Sequence, residues 1–128
     1  SDVISLHVPL TKLTKNMVST KQLEMMKSDA VIINTCRGGI INEEDLYDVM
    51  KKGHLAGAAI DVFDQEPYDG KLSEIDRCIL TAHMGSMSID CRTRMEVEAT
   101  EEAVRFIKNL PLEGEVPIEE YLAQKEGL

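Results

Sequence analysis

Arg37, Asp61, Glu66 and His83 stand in three short segments of this 128-residue chain: Asn34-Thr35-Cys36-Arg37-Gly38-Gly39, Ile60-Asp61-Val62-Phe63-Asp64-Gln65-Glu66-Pro67 and Thr81-Ala82-His83-Met84-Gly85-Ser86. Each segment follows an apolar run that reads as a buried strand. In an open parallel sheet, residues so placed reach the strand C-terminal ends, where ligands collect. An arginine, two carboxylates and a histidine can together anchor a carboxylate, carry a proton and hold a cofactor. The chain reads as part of an enzyme.

Alternating elements must carry those residues. Residues 2–7 form a short β-branched run ended by Pro9. Ser19 or Thr20 caps a helix over residues 21–27, with Leu23 and Met26, and Met25 beside them, facing inward. Residues 30–35 (AVIINT) are apolar without alternation, as expected of a strand covered on both faces. After the Gly38-Gly39 turn, Asn42 caps a second helix whose first turn holds Glu43, Glu44 and Asp45, where negative charge suits the helix dipole. It runs to Lys51-Lys52, and Gly53 suits the residue just past its end. Residues 56–62 and 78–82 are the third and fourth strands. The last helix covers roughly residues 87–109, with Cys91, Met95, Ala99, Ala103, Phe106 and Leu110 on one stripe, and Pro111 stops it. The pattern predicts an α/β, partial doubly wound (Rossmann-type) parallel sheet of about four strands, with helices on both faces. No internal repeat or low-complexity segment is evident.

Composition narrows the function classes. The length suits one domain with a real core. A net charge of −9 argues against a nucleic-acid partner, whose binders show a basic face. The acidic excess from Glu96 onward reads as a solvated helix face and tail. No apolar run is long enough for a membrane span, and no secretory leader is visible. Cys36, Cys78 and Cys91 are odd in number and lack CxxC spacing, so they read as reduced thiols in a cytoplasmic protein. A zinc site from Cys78, His83 and Cys91 has no recognisable ligand spacing, and no metal is expected. His54 reads as an exposed turn residue, and the methionines as core filler. Cys36, although beside Arg37, reads as a small buried thiol rather than a nucleophile.

The chain resembles the D-isomer-specific 2-hydroxyacid dehydrogenases. The matching motifs are Ser5-Leu6-His7-Val8-Pro9-Leu10-Thr11, Ile33-Asn34-Thr35-Cys36-Arg37-Gly38-Gly39, Gly57-Ala58-Ala59-Ile60-Asp61-Val62-Phe63, Glu66-Pro67 and Leu80-Thr81-Ala82-His83-Met84-Gly85-Ser86. Order and spacing agree over roughly residues 1–110, and residues 66–86 look most similar to phosphoglycerate-dehydrogenase-like members. The resemblance implies hydride transfer between NAD, with NADP left open, and a 2-oxo or 2-hydroxy acid.

It implies catalytic roles for Arg37, Glu66 and His83. Hydride transfer needs a cation for the substrate carboxylate and developing alkoxide, which the planar fork of Arg37 suits. It needs a proton carrier near neutral pH, His83, and a carboxylate, Glu66, that orients the imidazole. Cofactor-lining positions fall on His7, Val8, Pro9, Thr35, Cys36, Arg37, Asp61, His83, Met84, Gly85 and Ser86, with Asp61 at the nicotinamide end and His7 lining through its backbone.

Two departures stand out. Ala82 replaces the proline usual before the histidine, which frees φ there. No Gly-x-Gly-x-x-Gly or following ribose-binding acid occurs in these residues. The expectation is therefore the C-terminal half of a dinucleotide-binding domain over residues 1–110, including its return helix, with a C-terminal extension over residues 111–128. Alone, such a chain should be inactive; its parent should be a homodimer. The alternatives are a non-catalytic corepressor-like protein and a structural or dimerisation module of the same family.

Overall fold

The computed structural model describes residues 1–118, 121 and 122, so most of the second half of the expected 111–128 extension lies outside the described residues. Contacts divide the chain into two units, one spanning Ser1–His83 and the other beginning at Met84.

The first unit runs β1 (Val3–Leu6), α1 (Thr20–Glu24), β2 (Val31–Asn34), α2 (Glu43–Lys51), β3 (Gly57–Ile60), a 3-10 turn (Lys71–Glu74) and β4 (Cys78–Leu80). All pairings are parallel, in the order β1-β2-β3-β4. The strands are shorter than expected, by up to two residues at an end. The 3-10 turn was not foreseen.

The register aligns Ile4, Ile32, Ala58 and Cys78 in one row and Leu6, Asn34, Ile60 and Leu80 two residues on. Both rows face Leu23 of α1, Leu46, Val49 and Met50 of α2, and Leu72 of the 3-10 turn, which form the core. The opposite rows, Val3 and Val31, then Ser5, Ile33, Ala59 and Ile79, lie outside that core, and Val3 and Ile79 are exposed. Within this unit the helices thus cover one face, where both were expected. Right-handed crossovers between strands in sequential order put every connecting helix on the same side. Only a reversal of strand order brings helices to the other face.

α2 follows its sequence signals closely. Asn42 Oδ1 accepts from the Asp45 amide at 3.0 Å, and Gly53 adopts φ +87° just past the C-terminal end. Full burial of Leu46 contributes about 1.5–3 kcal/mol. Asp45 reaches further, with its Oδ2 accepting from the Thr20 amide at 2.8 Å and so tying the start of α1 to α2. α1 is a single short turn, capped at Ser19. Leu23 is fully buried and Met26 half-buried, but Met25 is exposed, contrary to expectation. At 3.6 residues per turn Met25 lies about 200° round the helix from Leu23, so the turn that buries Leu23 points Met25 outward.

In the second unit α3 (Ile89–Ile107) begins at Ser88, whose Oγ accepts from the Cys91 amide at 3.2 Å. The i,i+4 pairs Arg92–Glu96 and Arg94–Glu98 line its surface. No α3 residue is buried, and Met95 and Phe106 of the expected inward stripe are exposed. Among the described residues no helix is long and apolar enough to cross a membrane.

Candidate active site

Because Leu6, Asn34, Ile60 and Leu80 share one register row and each ends its strand, the following residues leave the sheet at one level. His7, Thr35, Asp61 and Thr81 come first, then the loops carrying Arg37, Glu66 and His83.

The Arg37 loop hangs on Asn34. This side chain is 2% exposed, and its polar atoms are all used. Nδ2 donates to the Arg37 carbonyl at 2.9 Å, while Oδ1 accepts from the Cys36 amide at 3.2 Å and from Cys36 Sγ at 3.0 Å. A buried amide satisfied in this way fixes a turn, because breaking any one bond strands a polar group. Cys36 is half-buried, and its thiol is held as a donor to Asn34, which suits the packing role expected of it. Arg37 itself is exposed, with Nη1 donating to the Cys36 carbonyl at 2.7 Å. No ion pair among the described residues includes it.

Asp61 is 8% exposed and receives the Thr81 hydroxyl on Oδ1. Its amide donates to the Asn34 carbonyl at 3.0 Å, and its carbonyl accepts from the His83 amide at 2.8 Å. His83 adopts φ +52°, a left-handed conformation that costs an L residue roughly 1–2 kcal/mol. The amide bond to Asp61 holds it there.

His83 Nδ1 and Glu66 Oε2 are 3.0 Å apart. The other Glu66 oxygen accepts from the Phe63 amide at 3.0 Å. The Phe63 N–H, and after it the His83 imidazole, hold the Glu66 carboxyl below its ordinary value. Since the partner is a carboxylate, Nδ1 is the nitrogen that carries a proton toward it. A cleft of about 320 Å³ brings Arg37, Glu66 and His83 together with Leu10, Phe63 and Asp64. A second, mostly apolar cleft of about 370 Å³ shares Phe63 and Glu66 and is lined also by Tyr68, Leu80 and Ala82.

Other expected positions are not among the residues that line this cleft. His7 lies 2.8 Å from Ser5 Oγ through Nε2, at the end of β1, and Val8 and Pro9 follow it. Thr35 is exposed at the end of β2. Met84, Gly85 and Ser86 open the second unit, where the Met87 amide closes a turn on the Met84 carbonyl. His54 is half-buried rather than the exposed turn residue expected, and its Nε2 lies 3.1 Å from the Met26 carbonyl. Burial pushes the Cys78 thiol up to about 11, which makes it an inert packing group.

Three residues were missed by sequence reasoning. Asn34 had a signal, since it shares the two-residue period of the buried Ile32. Thr81 had only its nearness to His83. Glu43 has the sequence position of a helix-dipole residue, yet its Oε1 accepts from the Asp64 amide at 2.7 Å.

Thr35, Asp61 and Thr81 thus follow the strand ends, Asp61 offers carboxylate oxygens as acceptors, and the His83 imidazole stands against Glu66. Residues 1–85 match the family described as D-isomer specific 2-hydroxyacid dehydrogenase, NAD binding domain. A glyoxylate reductase of Korarchaeum cryptofilum is 40% identical over 119 residues, covering 91% of this chain and 34% of that protein. A D-3-phosphoglycerate dehydrogenase of Bacillus subtilis is 38% identical over 113 residues, covering 88% of this chain and 22% of that protein. The solved structure of a glyoxylate reductase from Paecilomyes thermophila superposes with a TM-score of 0.86 at 32% identity, over 93% of this chain and 37% of that one. The chain thus spans about a third of the glyoxylate reductases and less than a quarter of the phosphoglycerate dehydrogenase.

Proposed function

This chain belongs to the D-isomer specific 2-hydroxyacid dehydrogenase family, matching its NAD binding domain, and from that premise we propose that it forms the catalytic part of a larger oxidoreductase. The complete enzyme interconverts a 2-oxo acid and a D-2-hydroxy acid. The observation that carries the reading is the His83–Glu66 pair at 3.0 Å, sharing a cleft with Arg37, whose guanidinium is in no ion pair among the described residues.

Arg37 binds the substrate carboxylate and steadies negative charge growing on the adjacent carbonyl oxygen. His83 gives a proton to that oxygen in reduction and takes it back in oxidation. Glu66 fixes the tautomer and aim of the ring through Nδ1. Asp61, Thr35 and Cys36, with the backbone of His7, Val8 and Pro9, hold the cofactor's nicotinamide end. When bound, NAD or NADP supplies or accepts the hydride. The complete enzyme is a homodimer, as the family resemblance implies.

The test is steady-state turnover of the complete enzyme with NADH and NADPH against 2-oxo acids of increasing size. Cofactor oxidation that needs the substrate carboxylate is the expected result. Absence of turnover with every acid, in a protein that binds partners instead, would favour the corepressor-like reading.

A further inference from the structure

We infer that Glu43, outside the catalytic set, is a positioning residue that spaces Arg37 from the His83–Glu66 pair by gripping the Phe63–Asp64 peptide group. The inference rests on the roles proposed above for those three residues.

The Phe63–Asp64 peptide is held from the β2–α2 side at both ends. Its N–H donates to Glu43 Oε1 at 2.7 Å. Its carbonyl lies against Gly38, where an added Cβ would sit 1.9 Å from Phe63 O, a separation no real side chain tolerates. Gly39 approaches the same loop, and a Cβ there would be 3.1 Å from Asp64 Oδ1. Thus the residues that follow Arg37 press directly on the loop that ends in Glu66. Within that loop the neighbouring amide, Phe63 N, is bound to Glu66 Oε1, whose other oxygen meets His83. A shift of the gripped peptide therefore moves the Phe63 amide, and with it the carboxylate that aims the imidazole.

A plain helix-dipole role does not account for Glu43. A first-turn acid serves the dipole from solvent, as Glu44 does while it is exposed and paired with Lys71 at 2.6 Å. Glu43 is instead turned inward and half-buried, and desolvation raises its carboxyl above the ordinary value despite the Asp64 N–H. The inward rotamer costs hydration, and the bond to the loop offsets that cost.

Two measurements test this. In the present chain, NMR reads hydrogen exchange at the Asp64 amide and the titration of the Glu66 carboxyl. Glu43→Ala should expose the amide and raise the Glu66 midpoint toward its ordinary value, whereas Glu43→Gln, which keeps an acceptor oxygen, should preserve both. In the complete enzyme, Glu43→Ala should lower kcat per folded molecule about tenfold or more, as small misplacements of reacting groups do. Cofactor affinity should hold, and Glu43→Gln should restore turnover. Gly38→Ala, pushing from the carbonyl side, should act in the same direction, and if it fails to fold the Glu43 variants still decide. Unchanged exchange and Glu66 titration in Glu43→Ala overturn the inference, as does unchanged kcat when both have moved. If the wild-type enzyme turns over no 2-oxo acid, the functional reading fails, and the grip on the loop is judged by the NMR measurements alone.

Discussion

Thr81 donates its hydroxyl to the carboxylate of Asp61, joining the residue after β4 to the residue after β3 where both strands leave the sheet. Two residues on, the His83 amide returns to the Asp61 carbonyl at 2.8 Å. Asp61 is thus bound through its side chain and its backbone to the segment that presents the histidine. Thr81→Val removes the hydroxyl at nearly constant volume. It should destabilise the chain by ~1–3 kcal/mol, the range for removing one hydrogen-bond partner from a buried polar group. Thr81→Ser should recover most of that. Urea midpoints check it, and a neutral Thr81→Val would mean that Asp61 does not depend on this donor.

The proposed catalytic roles separate in kinetics. In the complete enzyme His83→Ala should lower kcat by ~10²–10⁴-fold, the usual worth of a positioned proton carrier. Arg37→Ala should raise KM for the 2-oxo acid and lower kcat together, since the same guanidinium serves ground state and transition state. Arg37→Lys should recover little, for an ammonium cannot reproduce the fork. Wild-type kinetics in His83→Ala would remove it from the proton path.

Acid should undo the Glu66 contacts in a defined direction. The Phe63 amide and His83 hold the folded carboxyl below its ordinary value of 4.5. A depressed pKa means that the stabilisation is present above the unfolded value and is lost as pH falls through the folded one. Below that point the protonated carboxyl loses its charge-assisted bond to Nδ1 and no longer aims the imidazole, and turnover should fall with it. A Glu66 midpoint at or above the ordinary carboxylate value, read by NMR, would contradict the geometry.

The chain by itself should bind NAD, NADH and their phosphorylated forms weakly and show no dehydrogenase turnover. Its 128 residues contain no Gly-x-Gly-x-x-Gly turn to cradle a pyrophosphate at a helix N-terminus. Calorimetric titration is the check. Affinity at or below about micromolar, roughly −8 kcal/mol, would reveal a more complete cofactor site.

β1 is an edge strand, paired among the described residues only with β2, and Val3 on it is 57% exposed. Unpaired edges of this kind recruit other chains. The isolated chain should self-associate with rising concentration, and Val3→Lys should suppress this without unfolding it. Ile4 is the wrong site for the charge, because it shares a row with the core residues Ile32 and Ala58. A sedimentation coefficient that stays monomeric over a wide concentration range would refute the prediction.

What could be read from sequence was local or periodic. The α2 boundaries followed from Asn42 and Gly53, because caps act within a turn of the residues that make them. The gathering of Arg37, Asp61, Glu66 and His83 followed from apolar runs that end at chemistry, because parallel strands bring their C-terminal ends to one edge. The tertiary structure decided what depends on register and on contacts distant in sequence. Asn34 became a buried knot because it shares a row with Leu6, Ile60 and Leu80. Strand order placed the helices of the first unit on one face, which a pattern of alternating elements does not specify. Glu43 met the Asp64 amide 21 residues away. No local pattern separates it from Glu44, because only the packed sheet determines which first-turn acid faces the loop and which faces water.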